Sequence, residues 1–100
     1  MSDIAITLEE NGHKGRYVAR VAGFDDVGEM TFTRLNDKLI IVDHTGVPDS
    51  LTGKGVAKAL AENVVAEARA KGFRIVPLCP FLRGQFERHH PEWADVMRVS

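Results

Sequence analysis

The residues best suited to chemistry lie in a glycine-rich turn, where Gly53 and Gly55 flank Lys54. The apolar run 39–42 predicts a strand before this turn, and the residues after it predict the longest helix of the chain. A glycine-rich turn between a strand and a helix presents free backbone N–H groups and the positive end of the helix dipole. The turn is therefore a candidate site for a phosphate-bearing ligand.

Two common nucleotide-binding patterns do not fit this turn. A P-loop requires a glycine where Pro48 stands, and a Ser or Thr where Gly55 follows Lys54. A Rossmann fingerprint fails because its third glycine is absent and Gly53 lies seven residues after Gly46. The remaining Gly-x-Gly at a helix start fits an anion site and equally fits a turn that is only closely packed.

Two further side chains with chemical potential, His44 and Cys79, follow the strands predicted at 39–42 and 73–78. A helical crossover joins these strands, so we expect parallel neighbours with a ligand site beyond their carboxyl ends. We expect His44 on the same face as Val42. An imidazole there accepts a proton near neutral pH, or is only hydrogen-bonded at a strand end.

Composition limits the class of partner. Thirteen Lys and Arg against 14 Asp and Glu give a net charge of -1, which does not favour nucleic acid as a partner. One cysteine excludes an internal disulfide and favours a reducing compartment, so we expect a cytoplasmic protein. No apolar run approaches the roughly 20 residues of a membrane span. His89, His90 and Cys79 lack metal-ligand spacing, so we expect no metal.

The hydrophobic pattern predicts a single domain over residues 1–100 with five strands and two helices. We expect strands at 4–8, 16–21, 29–33, 39–42 and 73–78, and helices at 53–71 and 81–89. A loop over 10–15, longer than two residues, would join the first two strands. Ser50 or Thr52 should cap the first helix and Gly72 should end it. The run 39–42 should be covered on both faces, and pairing should lapse at Pro77.

The run Ser50-Leu51-Thr52-Gly53-Lys54-Gly55 resembles the acetyl-coenzyme A motif of the GNAT acetyltransferase superfamily, Q/R-x-x-G-x-G/A, with Ser50 replacing the opening Gln or Arg. Four ordered blocks between about 38 and 93 resemble the very small, single-domain members of that superfamily. The blocks are His44-Thr45-Gly46-Val47-Pro48, Thr52-Gly53-Lys54-Gly55-Val56-Ala57, Val76-Pro77-Leu78-Cys79-Pro80-Phe81 and His90-Pro91-Glu92-Trp93.

The resemblance implies an α/β fold of the α+β kind. Its mixed sheet has about five strands, mostly antiparallel with a parallel fourth and fifth pair, and helices on both faces. The pyrophosphate of coenzyme A would bind the backbone N–H groups of Thr52, Gly53, Lys54, Gly55, Val56 and Ala57. The pantetheine arm would pair with Thr45, Gly46 and Val47. Phe86 would face the cofactor, or would only pack on Leu82.

The same resemblance implies that His44 and Cys79 form the catalytic pair. Cys79 could accept the acetyl group, donate a proton to the departing thiolate, or be an inert buried residue. The implied activity is acetyl transfer from acetyl-coenzyme A to an amine on a protein or a small molecule. A non-catalytic module that binds coenzyme A or acyl-coenzyme A and interacts with a partner is the alternative. A structural interaction domain, whose glycines only permit close packing, is the third possibility.

Overall fold

The computed structural model describes residues 3–98. The strands are β1 (Ile4–Asn11), β2 (Lys14–Val21), β3 (Val27–Asn36), β4 (Leu39–Gly46) and β5 (Arg74–Pro77). The helices are α1 (Val56–Lys71) and α2 (Pro80–His89), with short 3-10 helices at Asp49–Leu51 and Pro91–Asp95. Within residues 3–98 neither helix has the length and hydropathy needed to span a membrane.

The five strands form one mixed sheet in the order β1-β2-β3-β4-β5. The first four strands are antiparallel neighbours, and β5 is parallel to β4 because α1 returns the chain to the starting edge. These pairings confirm the predicted sheet. The predicted long loop over 10–15 is wrong, because Asn11 pairs with Lys14 and leaves only Gly12 and His13 in the turn.

One face of the sheet, here called the helix face, is covered by α1. Gly28 marks this face on β3, since a Cβ at that position would lie 2.5 Å from Val56 Cγ1. Met30 and Phe32 follow Gly28 at two-residue spacing and are buried in the same core. The opposite side of the sheet is called the open face.

The open face of β1–β3 carries charged side chains that remain exposed. Arg16 donates hydrogen bonds to Glu9 and Glu29, each at 2.9 Å, and the three side chains are 43%, 47% and 36% exposed.

In the run 39–42, Ile40 and Val42 are buried, whereas Leu39 and Ile41 are only partly covered. The expected burial of this run on both faces is therefore incomplete, and the helical layer over β1–β3 lies on one side.

A β-bulge in β4 changes which side chains reach each face. Phe32 is opposite Val42, but its neighbour Thr31 is opposite His44, so Asp43 is an extra residue in β4. His44 therefore lies on the open face with Thr31. The prediction that His44 shares the face of Val42 is wrong, because strict alternation fails where one residue is inserted.

The helix α1 packs on β1, β2 and β3 along the predicted apolar stripe. Its buried residues are Val56, Leu60, Ala61, Val64, Val65 and Ala68. It begins three residues later than predicted, because Gly55 occupies the N-cap with a φ of 77°. Neither Ser50 nor Thr52 caps it, which corrects that expectation. Gly72 ends it as predicted, donating its N–H to the Ala68 carbonyl at 2.9 Å.

The second helix begins at Pro80 and packs on β4 and β5, with Leu82 fully buried. The strand before it ends at Pro77, as the missing N–H donor predicts. Beyond α2 the chain returns to the outer edge of β5, where Met97 forms an isolated parallel bridge with Ile75. Trp93 is buried in the shared core, so the carboxyl-terminal segment closes the edge of the domain.

Candidate active site

A cleft of about 320 Å³ opens where the first turn of α1 faces the start of α2, and we call it the helix-end cleft. The glycine-rich turn forms its rim. Its walls are Val47, Leu51, Thr52, Gly53, Gly55, Val56, Ala57, Lys58, Phe81 and Gln85. Six of the ten predicted cofactor-binding residues are in this set, namely Val47, Thr52, Gly53, Gly55, Val56 and Ala57.

The two glycines of the turn are required by backbone conformation. Gly53 and Gly55 have φ angles of 82° and 77°, a region that residues with a Cβ rarely adopt. No atom lies within 4 Å of a Cβ built at either position, so crowding is not the reason for glycine. The turn thus bends sharply while leaving open space beside the amino terminus of α1.

That amino terminus has no capping side chain from the described part of the chain. The N–H groups of Val56, Ala57 and Lys58 belong to the first turn of α1, where no intrahelical acceptor exists. These three residues all line the cleft. The cleft therefore combines unpaired donors with the positive end of a 16-residue helix, which is an anion-binding arrangement.

Ser50 and Lys54 hold the glycine-rich turn to the loop between β2 and β3. Ser50 donates its hydroxyl to the Asp26 carboxylate at 2.5 Å. The Lys54 ammonium lies 4.7 Å from the ring centroid of Phe24, a cation–π distance. Ser50 thus has a structural role, and Lys54 does not line the cleft.

Lys58 supplies the cationic side chain of the cleft wall instead. Sequence reasoning missed this residue, although its position three residues after Gly55 places it in the first turn. Phe81 was missed as well. It lines the cleft, whereas the predicted Phe86 packs against the core one turn later.

Cys79 is held rigidly between β5 and α2. Its N–H donates to the Val42 carbonyl at 2.9 Å, and its carbonyl accepts the N–H of Arg83 at 3.0 Å as α2 begins. Its thiol is buried and lies 3.1 Å from the Thr45 hydroxyl. Thr45 is opposite Met30, so this contact is on the helix face.

His44 lies at the same strand end but on the open face, and its side chain is exposed. A Cβ at Gly46 would lie 3.1 Å from His44 Nε2, so glycine leaves room for the imidazole. Across the described residues, His44 and Cys79 share no hydrogen bond, and Thr45 is the side chain that contacts the thiol. The structure thus places the two predicted catalytic residues on either side of one strand end.

A second cleft, of about 420 Å³, crosses the open face and is called the open-face cleft. It extends from the bulge at Asp43 to the first hairpin and has Thr31, Arg16 and Lys14 among its walls. Its near end adjoins His44, because Thr31 is opposite His44 in the sheet. No group of three or more metal-ligating side chains occurs within residues 3–98.

Comparisons with known proteins agree with this fold. Residues 16–96 match the sequence profile of the GCN5-related N-acetyl-transferase family. Protein NATD1 of Bos taurus is 23% identical over 86 residues, which are 86% of this chain and 75% of that protein. The solution NMR structure of a GCN5-like protein from Staphylococcus aureus has a TM-score of 0.70 and 28% identity, covering 100% of this chain and 93% of that chain.

Proposed function

This chain belongs to the GCN5-related N-acetyltransferase family, and we propose that it transfers an acetyl group from acetyl-coenzyme A to a primary amine. The observation that carries this proposal is the uncapped first turn of α1, which opens into the helix-end cleft. The N–H groups of Val56, Ala57 and Lys58 suit the pyrophosphate of coenzyme A. Coenzyme A would supply the acetyl group as a thioester.

The rest of the cleft fits the remainder of that molecule. Lys58 forms no ion pair with another described residue, so its ammonium is available to the phosphates. Val47, Leu51 and Phe81 give the cleft an apolar wall suited to the pantetheine arm. The backbone from Thr45 to Val47 would pair with the amides of that arm, as an added strand does.

The transfer step is direct attack by the amine. The ammonium of the acceptor loses a proton to the His44 imidazole, and the freed lone pair attacks the thioester carbonyl carbon. A new N–C bond forms and the C–S bond breaks, so the electron pair of that bond leaves on the thiolate. The nitrogen then releases its second proton, which balances the proton that the Cys79 thiol gives to the thiolate, and the products are a neutral amide and a free thiol. Backbone N–H groups near Val47 would stabilise the negative charge that develops on the carbonyl oxygen.

Cys79 is the proton donor to the departing thiolate in this proposal. Its thiol lies on the helix face, on the same side of the sheet as α1, and Thr45 holds it at 3.1 Å. Acceptor and cofactor would thus approach the end of β4 from opposite faces. A Cys79→Ala protein with measurable turnover would exclude the route in which Cys79 itself is acetylated.

Calorimetry with coenzyme A and acetyl-coenzyme A tests the binding site directly. We expect a Kd below about 1 mM. Gly55→Ala should weaken binding about tenfold, because a Cβ disfavours the left-handed backbone that aims the first N–H groups of α1 into the cleft. A tenfold loss corresponds to one hydrogen bond to a charged group. Gly72→Ala is the matched control, since Gly72 also has a φ of 77° and no atom within 4 Å of a Cβ, but lies at the other end of α1. Both variants should lose similar stability, and only Gly55→Ala should lose affinity.

Acetylation of a panel of primary amines tests the activity. His44→Ala should lower kcat/KM by about 100-fold and remove the proton-accepting limb of the pH profile. Binding without turnover on any amine would replace the enzyme with a non-catalytic coenzyme A-binding module. If neither acetyl-coenzyme A nor free coenzyme A binds, both the enzyme and the non-catalytic binding module are refuted.

A further inference from the structure

The open-face cleft has a charge arrangement that the proposed cofactor site does not use. Three of its wall residues and the adjoining His44 form a row across the sheet, because each is the direct cross-strand partner of the next. The row is Glu9, Arg16, Thr31 and His44. Neighbouring strands are about 4.8 Å apart, so the row leads from the hairpin to the predicted proton acceptor. A molecule lying along it would present one end to His44.

Most charges in this cleft already have partners. Arg16 is held by two carboxylates, those of Glu9 and Glu29. Glu10 is held by the Arg34 guanidinium at 3.0 Å. The Glu10 pair is neutral, and the two carboxylates on Arg16 leave one negative charge in excess that both direct at the guanidinium.

Two charged residues of the cleft, Asp43 and Lys14, form no ion pair with another described residue. The Asp43 carboxylate accepts a hydrogen bond from the Thr31 hydroxyl but has no cationic neighbour. The Lys14 ammonium donates to the Thr33 hydroxyl at 2.9 Å but has no anionic neighbour. Asp43 stands on β4 beside His44, and Lys14 stands on β2 at the far end. The cleft thus offers one unpaired anion near the reaction centre and one unpaired cation away from it.

We propose that the open-face cleft binds the acetyl acceptor, and that this acceptor is a small zwitterionic amine such as an ω-amino acid. Its ammonium lies at Asp43, beside His44, and its carboxylate lies at Lys14. The two side chains stand on strands two spacings apart, about 10 Å across the sheet, and Asp43 lies two residues further along β4 than Ile41, the position level with Lys14. Because both side chains reach into the cleft, a ligand with about five carbons between its charged ends is a suitable length. The acceptor role depends on the proposed function, whereas zwitterion binding does not.

The β-bulge in β4 explains why Asp43 and His44 lie together at one end of the open-face cleft. Without the extra residue, His44 would face the helix side and the open face would have no proton acceptor next to Asp43. The insertion brings both side chains to the face where Thr31 lies. The acceptor amine is then held and deprotonated on the side of the sheet opposite the helix-end cleft.

An NMR titration of the whole chain tests binding without requiring turnover. The probes are 5-aminopentanoate, pentylamine and cadaverine, which share the amine and differ only at the far end. We expect 5-aminopentanoate to bind about fivefold more tightly than pentylamine, because an exposed ion pair contributes up to about 1 kcal/mol. The amide shifts should concentrate at Lys14, Thr31 and Asp43.

Two variants test which side chain binds each charged end of the ligand. Lys14→Ala should abolish the preference for 5-aminopentanoate over pentylamine, and Asp43→Asn should weaken both ligands about fivefold. Lys38→Ala and Asp37→Asn are matched controls in the turn between β3 and β4, outside the cleft, and should keep the preference. Thermal melts of all four proteins identify any loss of affinity that comes from unfolding.

The other outcomes overturn the inference. Equal binding of the three probes, tighter binding of cadaverine, or shifts away from the row would show that the cleft does not select a zwitterion. Preferential acetylation of a lysine-containing peptide, unaffected by Lys14→Ala, would make a protein the acceptor. Failure of coenzyme A to shift the amides of residues 55–58 would refute the proposed function and leave the zwitterion result standing by itself.

Discussion

Adding one methyl group at Gly28 should destabilise the fold and disturb the helix-end cleft together. A Cβ at this position would lie 2.5 Å from Val56 Cγ1, where two carbon atoms prefer about 3.5–4.0 Å. Val56 is the first residue of α1, is 2% exposed, and has a β-branched side chain with few alternative rotamers. The helix start itself must therefore move to relieve the contact.

The expected magnitude follows from two opposing terms. Overpacking a core costs about 1–3 kcal/mol. Replacing a strand glycine by alanine returns roughly 0.5–1 kcal/mol of backbone entropy. The Gly28→Ala protein should thus be less stable by about 1 kcal/mol, which lowers Tm by roughly 4–8 °C in a domain of this size. Its affinity for coenzyme A should fall as well, because Val56 lines the cleft.

A double-mutant cycle separates crowding from other effects. Val56→Ala by itself should cost about 2 kcal/mol through lost methyl groups. The combined variant should cost less than the sum by about 1–2 kcal/mol, since the new methyl fills the vacated space. Urea unfolding followed through the fluorescence of buried Trp93 measures each free energy. Gly84→Ala is a control, because the nearest neighbour of the new Cβ is the flexible end of Arg88 at 3.4 Å. This variant should increase the free energy of unfolding. Additivity within about 0.5 kcal/mol would refute the reasoning.

Two further predictions concern side-chain partners. Tyr17→Phe should raise stability by about 1 kcal/mol in urea unfolding, because the buried hydroxyl has no partner within residues 3–98 and burial also raises the pKa of Tyr17; a loss of stability would indicate a hydrogen-bond partner for that hydroxyl. Arg69→Ala should flatten the acid dependence of stability, since the hydrogen bond from Arg69 lowers the pKa of Asp95. A carboxyl pKa that is lower in the folded protein than in the unfolded chain stabilises the folded state at neutral pH. Asp95 loses this contribution as the pH falls below about 4 and its carboxylate becomes protonated. Parallel unfolding curves of the two proteins from pH 7 to pH 3 would contradict it.

The elements could be predicted because each one has a local pattern. The stripe from Val56 to Ala68 has helical spacing, and Gly72 ends the helix through a conformation that other residues rarely adopt. Parallel pairing of β4 and β5 followed from the helical crossover between them. The family resemblance drawn from four sequence blocks is confirmed by the match over residues 16–96.

Errors arose where a single residue changed the register or where partners are distant in sequence. The insertion of Asp43 moved His44 to the other face, and no local pattern marks a bulge. The direction of the Lys54 side chain could not be read from the sequence either, because Phe24, whose ring lies 4.7 Å from its ammonium, is 30 residues earlier. Lys58 lines the helix-end cleft because the helix starts three residues later than the pattern suggested, which places Lys58 in the first turn.

The sequence by itself determined a mixed five-stranded sheet, a long helix that ends at Gly72, and a glycine turn able to present free N–H groups at the start of that helix. Those properties depend on side-chain periodicity and on the conformational freedom of glycine, both of which are local. Only the tertiary structure decided that His44 and Cys79 stand on opposite faces of one strand end, and that a charged cleft crosses the open face. These arrangements depend on register across β2, β3 and β4, which is fixed by packing between residues distant in the chain.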